Sequence, residues 1–152
     1  TRECMFLQSV VNQAFALCAP GIIVNDIYPK SGAMTKELLY EVAANALAIT
    51  ASDGHLEGVG SCDGLKPHGT GPEARLRGEV GLAASRAGIT RAAANGMVLE
   101  LLKKYEHVME TGNDGVSFEE AYDMVTVTPK PEWLAMYEEV RGELRTMGLP
   151  IV

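Results

Sequence analysis

The sequence is short of cysteine, short of base relative to acid, and without a long hydrophobic run. Its three cysteines, Cys4, Cys18 and Cys62, show no CxxC spacing and leave one over in any pairing. That argues against a disulfide scaffold and predicts a reducing, cytoplasmic setting. Lys and Arg number 13 against 20 Asp and Glu, a formal net charge of -7. Residues 1–72 hold 4 basic and 7 acidic side chains, and residues 73–152 hold 9 and 13. Neither half is basic, which makes duplex nucleic acid and anionic membranes poor partners, since phosphate or headgroup charge dominates affinity for both. No apolar stretch reaches membrane-spanning length, and no signal-peptide pattern is visible. Several catalytic signatures are also missing: GxSxG, HExxH, the GxxxxGK[ST] phosphate loop and GxGxxG.

What is there describes an ordinary globular chain. Of 152 residues, 47% are hydrophobic and 22% charged, enough for one domain or for a piece of a larger one. The numbering opens at Thr1, and the residues that follow already read as a helix interior, so a processed or truncated larger protein is expected. Residues 2–18 repeat apolar positions at helical spacing, and Pro20-Gly21 stops them. Ile22-Ile23-Val24 is a short continuous apolar run, predicted to be a strand buried on both faces as in a parallel sheet. Thr35 caps a second helix whose inner face carries Leu38, Leu39, Val42, Ala43, Ala46, Leu47 and Ile49, and Gly54 ends it.

His55 to Gly60 forms a weak second strand, within a stretch (54–72) that holds six of the 16 glycines. From Pro72 onward the pattern is helical. It breaks at Gly88, restarts at Thr90, turns at Gly112–Gly115, and meets a capping box at Ser117–Glu120. Val125-Thr126-Val127 reads as a link, and Thr128-Pro129 or Pro131 opens a last helix with Trp133, Met136 or Tyr137, Val140, Leu144 and Met147 on its inner face. A strand, a long helix and a second strand fit one parallel crossover. Two parallel strands alone do not make an independent sheet, so these two call for neighbours.

Asp26 and Tyr28 follow the first apolar run two residues apart, on one side of an extended chain. At the carboxyl end of a barrel strand, an acid and a phenol can hold an amine or polarise a leaving group; elsewhere they are a capping aspartate and a packing tyrosine. His55, Glu57, Cys62 and His68 imitate a zinc set, but their spacing matches no defined motif and the default is a solvated pair of histidines. Gly69-Thr70-Gly71 precedes a helix and could offer N–H groups to an anion. On the next helix Glu73 is expected to pair with Arg77, and Arg75 with Glu79, on a solvated face.

Two stretches carry a more specific likeness: Thr70-Gly-Pro-Glu73-Ala-Arg75-Leu-Arg-Gly-Glu79-Val, and Phe118-Glu-Glu-Ala-Tyr122-Asp123-Met-Val-Thr126-Val-Thr128-Pro129. With Thr1-Arg2-Glu3, Tyr28-Pro29, Leu56–Ser61 and the ending Leu144–Leu149, the chain resembles the last third of the monomethylamine:corrinoid methyltransferases of methanogens. The resemblance implies the last two β/α units of a TIM-like (β/α)8 barrel (residues 1–72) followed by a C-terminal helical extension (73–152). It also implies transfer of a methyl group from monomethylamine to the cobalt of a corrinoid carried by a separate cognate protein, with no cofactor bound by these residues directly. Further partners so implied are the N-terminal remainder of the barrel and other copies of the full enzyme in a homo-oligomer.

The family's hallmark, pyrrolysine, belongs on a strand outside this chain. Its Asn-Gln-Tyr-Tyr-Pro run matches Asn25-Asp26-Ile27-Tyr28-Pro29, which makes Asn25, Asp26 and Tyr28 the expected catalytic positions. Asp26 replaces a neutral amide by an anion, which favours a cation beside it. Gly58, Gly60 and His68 are expected on the rim that faces the corrinoid protein. The alternative is a non-catalytic helical association module with a glycine-rich linker. A corrinoid-binding domain proper would need a DxHxxG-type loop, which is missing.

Overall fold

The computed structural model describes residues 1–19 and 21–152; Pro20, expected to stop the first helix, lies outside the described residues. Helix α1 (Arg2–Cys18) starts where the Thr1 hydroxyl accepts the Cys4 N–H at 3.3 Å. Strand β1 (Val24–Ile27) leads through a loop to α2 (Lys36–Ala51), then to β2 (His55–Val59), which pairs with β1 in parallel. Helices α3 (Gly71–Ala87) and α4 (Arg91–Tyr105) follow, separated by Gly88 in the left-handed conformation.

The core is built around α2. Its Leu38, Leu39, Val42, Ala43, Ala46, Leu47 and Ile49 are all buried, in contact with α3 on one side and α4 on the other. Ala43 and Ala46 among them let the helices approach closely, and each buried Leu or Ile contributes roughly 1.5–3 kcal/mol. Gly81 of α3 lies against Leu56 of β2, where any Cβ would collide with the Leu56 side chain. The division suggested at residue 72 falls on the first turn of α3, a helix that packs on α2, β2 and α6.

The last third is a short helix α5 (Phe118–Ala121), a hairpin of β3 (Tyr122–Asp123) and β4 (Thr128–Pro129), and α6 (Pro131–Thr146). Residues 125–127, expected to be a link, lie in the hairpin turn; Asp123 Oδ1 accepts the N–H groups of Val125 and Thr126 at 2.8 and 3.0 Å. Of the two proline starts considered for the last helix, Pro131 is the one used. Trp133, Tyr137, Val140 and Leu144 carry its inner face, as their spacing predicts.

Two expectations need correcting. The first strand begins at Val24 and includes Asn25 and Asp26, and it is covered on one face only, with Ile22 78% and Val24 55% exposed. The helix layer covers one side of the two-stranded sheet, and nothing among the described residues covers the other. Glu73 does not lie on a solvated face beside Arg77. It is buried, and its carboxylate closes a capping box with the N–H and hydroxyl of Thr70. The Arg75–Glu79 pair forms as expected, at 2.8 Å.

Candidate active site at the carboxyl end of the strands

Alternation along β1 decides which side chains meet. Asn25 and Ile27 are buried toward the helices, whereas Val24, Asp26 and, just beyond the strand, Tyr28 stand on the uncovered face. Asn25 pairs with Leu56 but Ile27 pairs with Val59, so Glu57 and Gly58 together oppose Asp26. Such a bulge frees an N–H from the ladder. Gly58 donates its N–H to Asp26 Oδ1 at 2.7 Å, which fixes the carboxylate over β2. A side chain at 58 would push that carboxylate aside, because a Cβ there would sit closer than 3.0 Å to the same oxygen.

Tyr28 lies against a floor of glycine. Added Cβ atoms at Gly60 and at Gly64, the latter with φ +72°, would each come to 3.2 Å of the Tyr28 ring. The phenol points back to Asp26, with its hydroxyl 3.5 Å from Oδ2, a long contact that leaves both groups open to a third partner. Tyr28 is 62% exposed. A groove of about 550 Å³ runs past Asp26, Tyr28 and Lys30, with Glu41 and Asn45 of α2 along its wall. Lys30 Nζ is bound to Asp63 Oδ2 at 2.7 Å, and this hydrogen bond holds the lysine's pKa above its usual value.

The structure does not bring Asn25 to Asp26 and Tyr28. Asn25 is 6% exposed on the opposite face, where it accepts from Gln8 Nε2 at 2.8 Å and donates to the carbonyls of Ile23 and His55. There it ties α1 to the start of the strands. Gly58 and Gly60, expected to face a partner, lie beneath Asp26 and Tyr28. His68 stands in the loop after β2, with Nδ1 2.8 Å from the Asp114 carbonyl and 3.6 Å from Cys62 Sγ.

Burial and then the Asp114 charge push the Cys62 thiol up, which keeps it protonated and a poor nucleophile. Among the described residues, no three of His, Cys, Asp and Glu converge as metal ligands. Two of the N–H groups in Gly69–Gly71 have internal partners: Gly71 donates to the Tyr122 hydroxyl at 2.9 Å, and Thr70 to Glu73. Glu41 escaped the sequence reading. A carboxylate inside the apolar stripe of α2, next to Val42, was the available signal.

Parallel strands alternating with helices, with the polar side chains gathered at the carboxyl end of the strands, are the architecture of a β/α barrel. The family model described as monomethylamine methyltransferase MtmB matches residues 1–149. Monomethylamine methyltransferase MtmB1 of Methanosarcina barkeri is 36% identical over 127 residues, covering 82% of this chain and 27% of that protein. MtmB2 of Methanosarcina acetivorans is 37% identical over the same span. The crystal structure of Methanosarcina barkeri MtmB superposes with a TM-score of 0.89 at 31% identity, over 98% of this chain and 33% of that one. A hydroxylamine complex of MtmB gives the same figures.

The chain belongs to the monomethylamine methyltransferase MtmB family. It spans about a quarter to a third of the length of the relatives it matches. Its fold is accordingly a portion of their β/α barrel together with a helical extension.

Proposed function

We propose that this chain supplies the closing β/α units of a barrel methyltransferase that moves a methyl group from monomethylamine, or a closely related methylated amine, to a corrinoid on a separate protein. The observation that carries this reading is the Asp26–Tyr28 pair, held by glycines at the open carboxyl end of the strands in a chain of this family. The rest of the barrel is the natural cover for the uncovered sheet face and for α1, whose Phe6, Leu7, Val11 and Leu17 are 54–84% exposed. Acting alone, these residues would lack most of the barrel, so activity belongs to the assembled protein. No helix among the described residues is long and apolar enough to cross a membrane, and the cysteine usage suits a cytoplasmic reaction.

Breaking the C–N bond leaves the bonding electrons on nitrogen while the methyl carbon goes to a nucleophile. Nitrogen must therefore carry positive charge beforehand, since an amide anion is a very poor leaving group. The Asp26 carboxylate favours that cation and keeps a neighbouring amine protonated. The Tyr28 hydroxyl, beside Asp26, orients the nitrogen so that its methyl faces outward. The residues present fit a corrinoid brought by a partner: the end of the sheet is open, and Tyr28 is exposed at it. When docked, that corrinoid supplies the cobalt nucleophile.

The test uses the complete protein with its corrinoid protein and a panel of mono-, di- and trimethylamine. Methyl transfer from one of these, reduced about a hundredfold in Asp26→Ala, is the expected result. No transfer from any of the three would overturn the reading. Exclusive use of monomethylamine would show that the aspartate leaves the choice of amine unchanged.

A further inference from the structure

Glu41 lies in the second turn of α2 and is 2% exposed, a costly place for a carboxylate. Its oxygens accept the N–H of Lys30 at 2.7 Å and of Ser31 at 3.1 Å. Both donors lie beyond the end of β1, where no ladder partner is available to them. The other side of the same loop is pinned to the stretch after β2. Pro29 O accepts from the Asp63 N–H at 2.8 Å, and Ser31 O from the Cys62 N–H at 3.1 Å. Lys30 is joined to Tyr28 through Pro29, whose ring fixes its φ, so a displaced Lys30 amide carries the Tyr28 backbone with it.

Leu38 and Val42 around it are fully buried, and an apolar residue in its place would leave the Lys30 and Ser31 N–H groups without an acceptor. Burial pushes the Glu41 carboxyl above its ordinary range, against the hydrogen bonds from Ser31 and Lys30. Glu41 also lines the groove that passes Asp26, Tyr28 and Lys30.

We propose that Glu41 is a positioning residue whose carboxylate clamps the Lys30–Ser31 amides and so sets Tyr28 against Asp26 at the amine site. The inference rests on the methyltransferase reading for the identity of the site, and on the loop geometry for the clamp itself. A carboxylate serves because both of its oxygens accept. An amide in its place presents an NH2 to one of the two donors.

The experiment compares Glu41→Gln and Glu41→Ala with the unsubstituted complete protein. Three readouts are followed: hydrogen exchange at the Lys30 and Ser31 amides, NMR shifts of the Tyr28 ring, and kcat and KM for methyl transfer. In Glu41→Gln, which keeps the volume and the fold, both amides should exchange faster and the Tyr28 ring signals should move. The kcat should fall at least about tenfold with the fraction of folded protein unchanged. In Glu41→Ala, added formate or acetate should enter through the groove and restore protection and kcat together.

Unmoved Tyr28 signals, or a kcat that survives the loss of amide protection, would overturn the proposal. A loss of activity that only tracks unfolded protein would do the same. Should the unsubstituted protein transfer no methyl group, the functional reading fails by itself, and the Tyr28 shifts still decide whether the clamp exists.

Discussion

Replacing Gly58 by alanine should move the Asp26 carboxylate while leaving the strand beneath it folded. Gly58 has no positive φ, so alanine meets no conformational penalty there. Restricting the unfolded chain would by itself stabilise the protein by about 0.4–1 kcal/mol. Against this stands the Gly58 N–H to Asp26 hydrogen bond. Bonds to charged groups are worth about 1.5–3 kcal/mol when shielded, and less at an exposed carboxylate such as this one. The two contributions nearly cancel, and the thermal midpoint should shift by no more than a few degrees. The geometry does not cancel, because the new methyl group must be cleared from inside 3.0 Å of Asp26 Oδ1 to the 3.4 Å of ordinary contact or beyond. A displacement approaching 1 Å at a reacting centre is worth up to about a hundredfold in rate. Steady-state methyl transfer by the complete protein should therefore lose about ten- to a hundredfold in kcat/KM, while circular dichroism melts stay nearly unchanged. Full activity in Gly58→Ala would refute the claim that the position of Asp26 matters.

Trp133 is fully buried, and its Nε1–H donates to Thr70 Oγ1 at 2.9 Å; Trp133→Ala should cost about 3–5 kcal/mol, read as a lower urea midpoint at unchanged slope. Gly96 sits on the exposed side of α4 with nothing near its would-be Cβ, so Gly96→Ala should stabilise by about 0.5–1 kcal/mol and leave activity alone. Stability should also pass through a maximum on the acid side of neutrality. Burial raises the carboxyls of Glu41 and Glu73 above their unfolded values; they bind protons more tightly when folded, and their contribution grows as pH falls through their folded pKa values. Hydrogen bonds hold others low: from Arg2 on Glu106, from Lys66 on Asp114, from the Ser117 backbone on Glu120 and from the Thr126 backbone on Asp123. Their contribution, present above the unfolded values, is lost as pH falls through the folded ones. Melts across the acid range that lose stability steadily from neutrality downward would contradict this assignment.

The helices were legible because their signals are local. Thr35 and Thr90 accept hydrogen bonds at helix starts, Gly88 reverses the chain, and the stripe from Leu38 to Ile49 faces inward. The strand boundary was not legible, because burial of Asn25 depends on Gln8 and His55, which are remote in sequence. A polar residue whose partners are invisible gives no sign that it faces the core. Glu73 misled for the same reason, since its inward position depends on the Trp133 and Thr70 arrangement as well as on helix spacing. The β3–β4 pair has two residues per strand, too few for any alternation to show. Asp26 and Tyr28 could be singled out from spacing, whereas the Gly58 N–H that fixes Asp26 follows from a bulge that no spacing rule predicts.

The uncovered sheet face and the bare apolar side of α1 also bear on how the stability of these residues should be measured. A surface that is satisfied only when something covers it couples folding to association. Stability then gains RT ln(1 + [L]/Kd) from the covering polypeptide, about 2.7 kcal/mol at a hundred times its Kd. If the cover is part of the same chain, its effective concentration is set by the connection, on the order of millimolar, and melting is independent of protein concentration. If it is a separate chain, the midpoint climbs as the mixture is concentrated and drops on dilution. A dilution series of melting curves would therefore report how the barrel is wired.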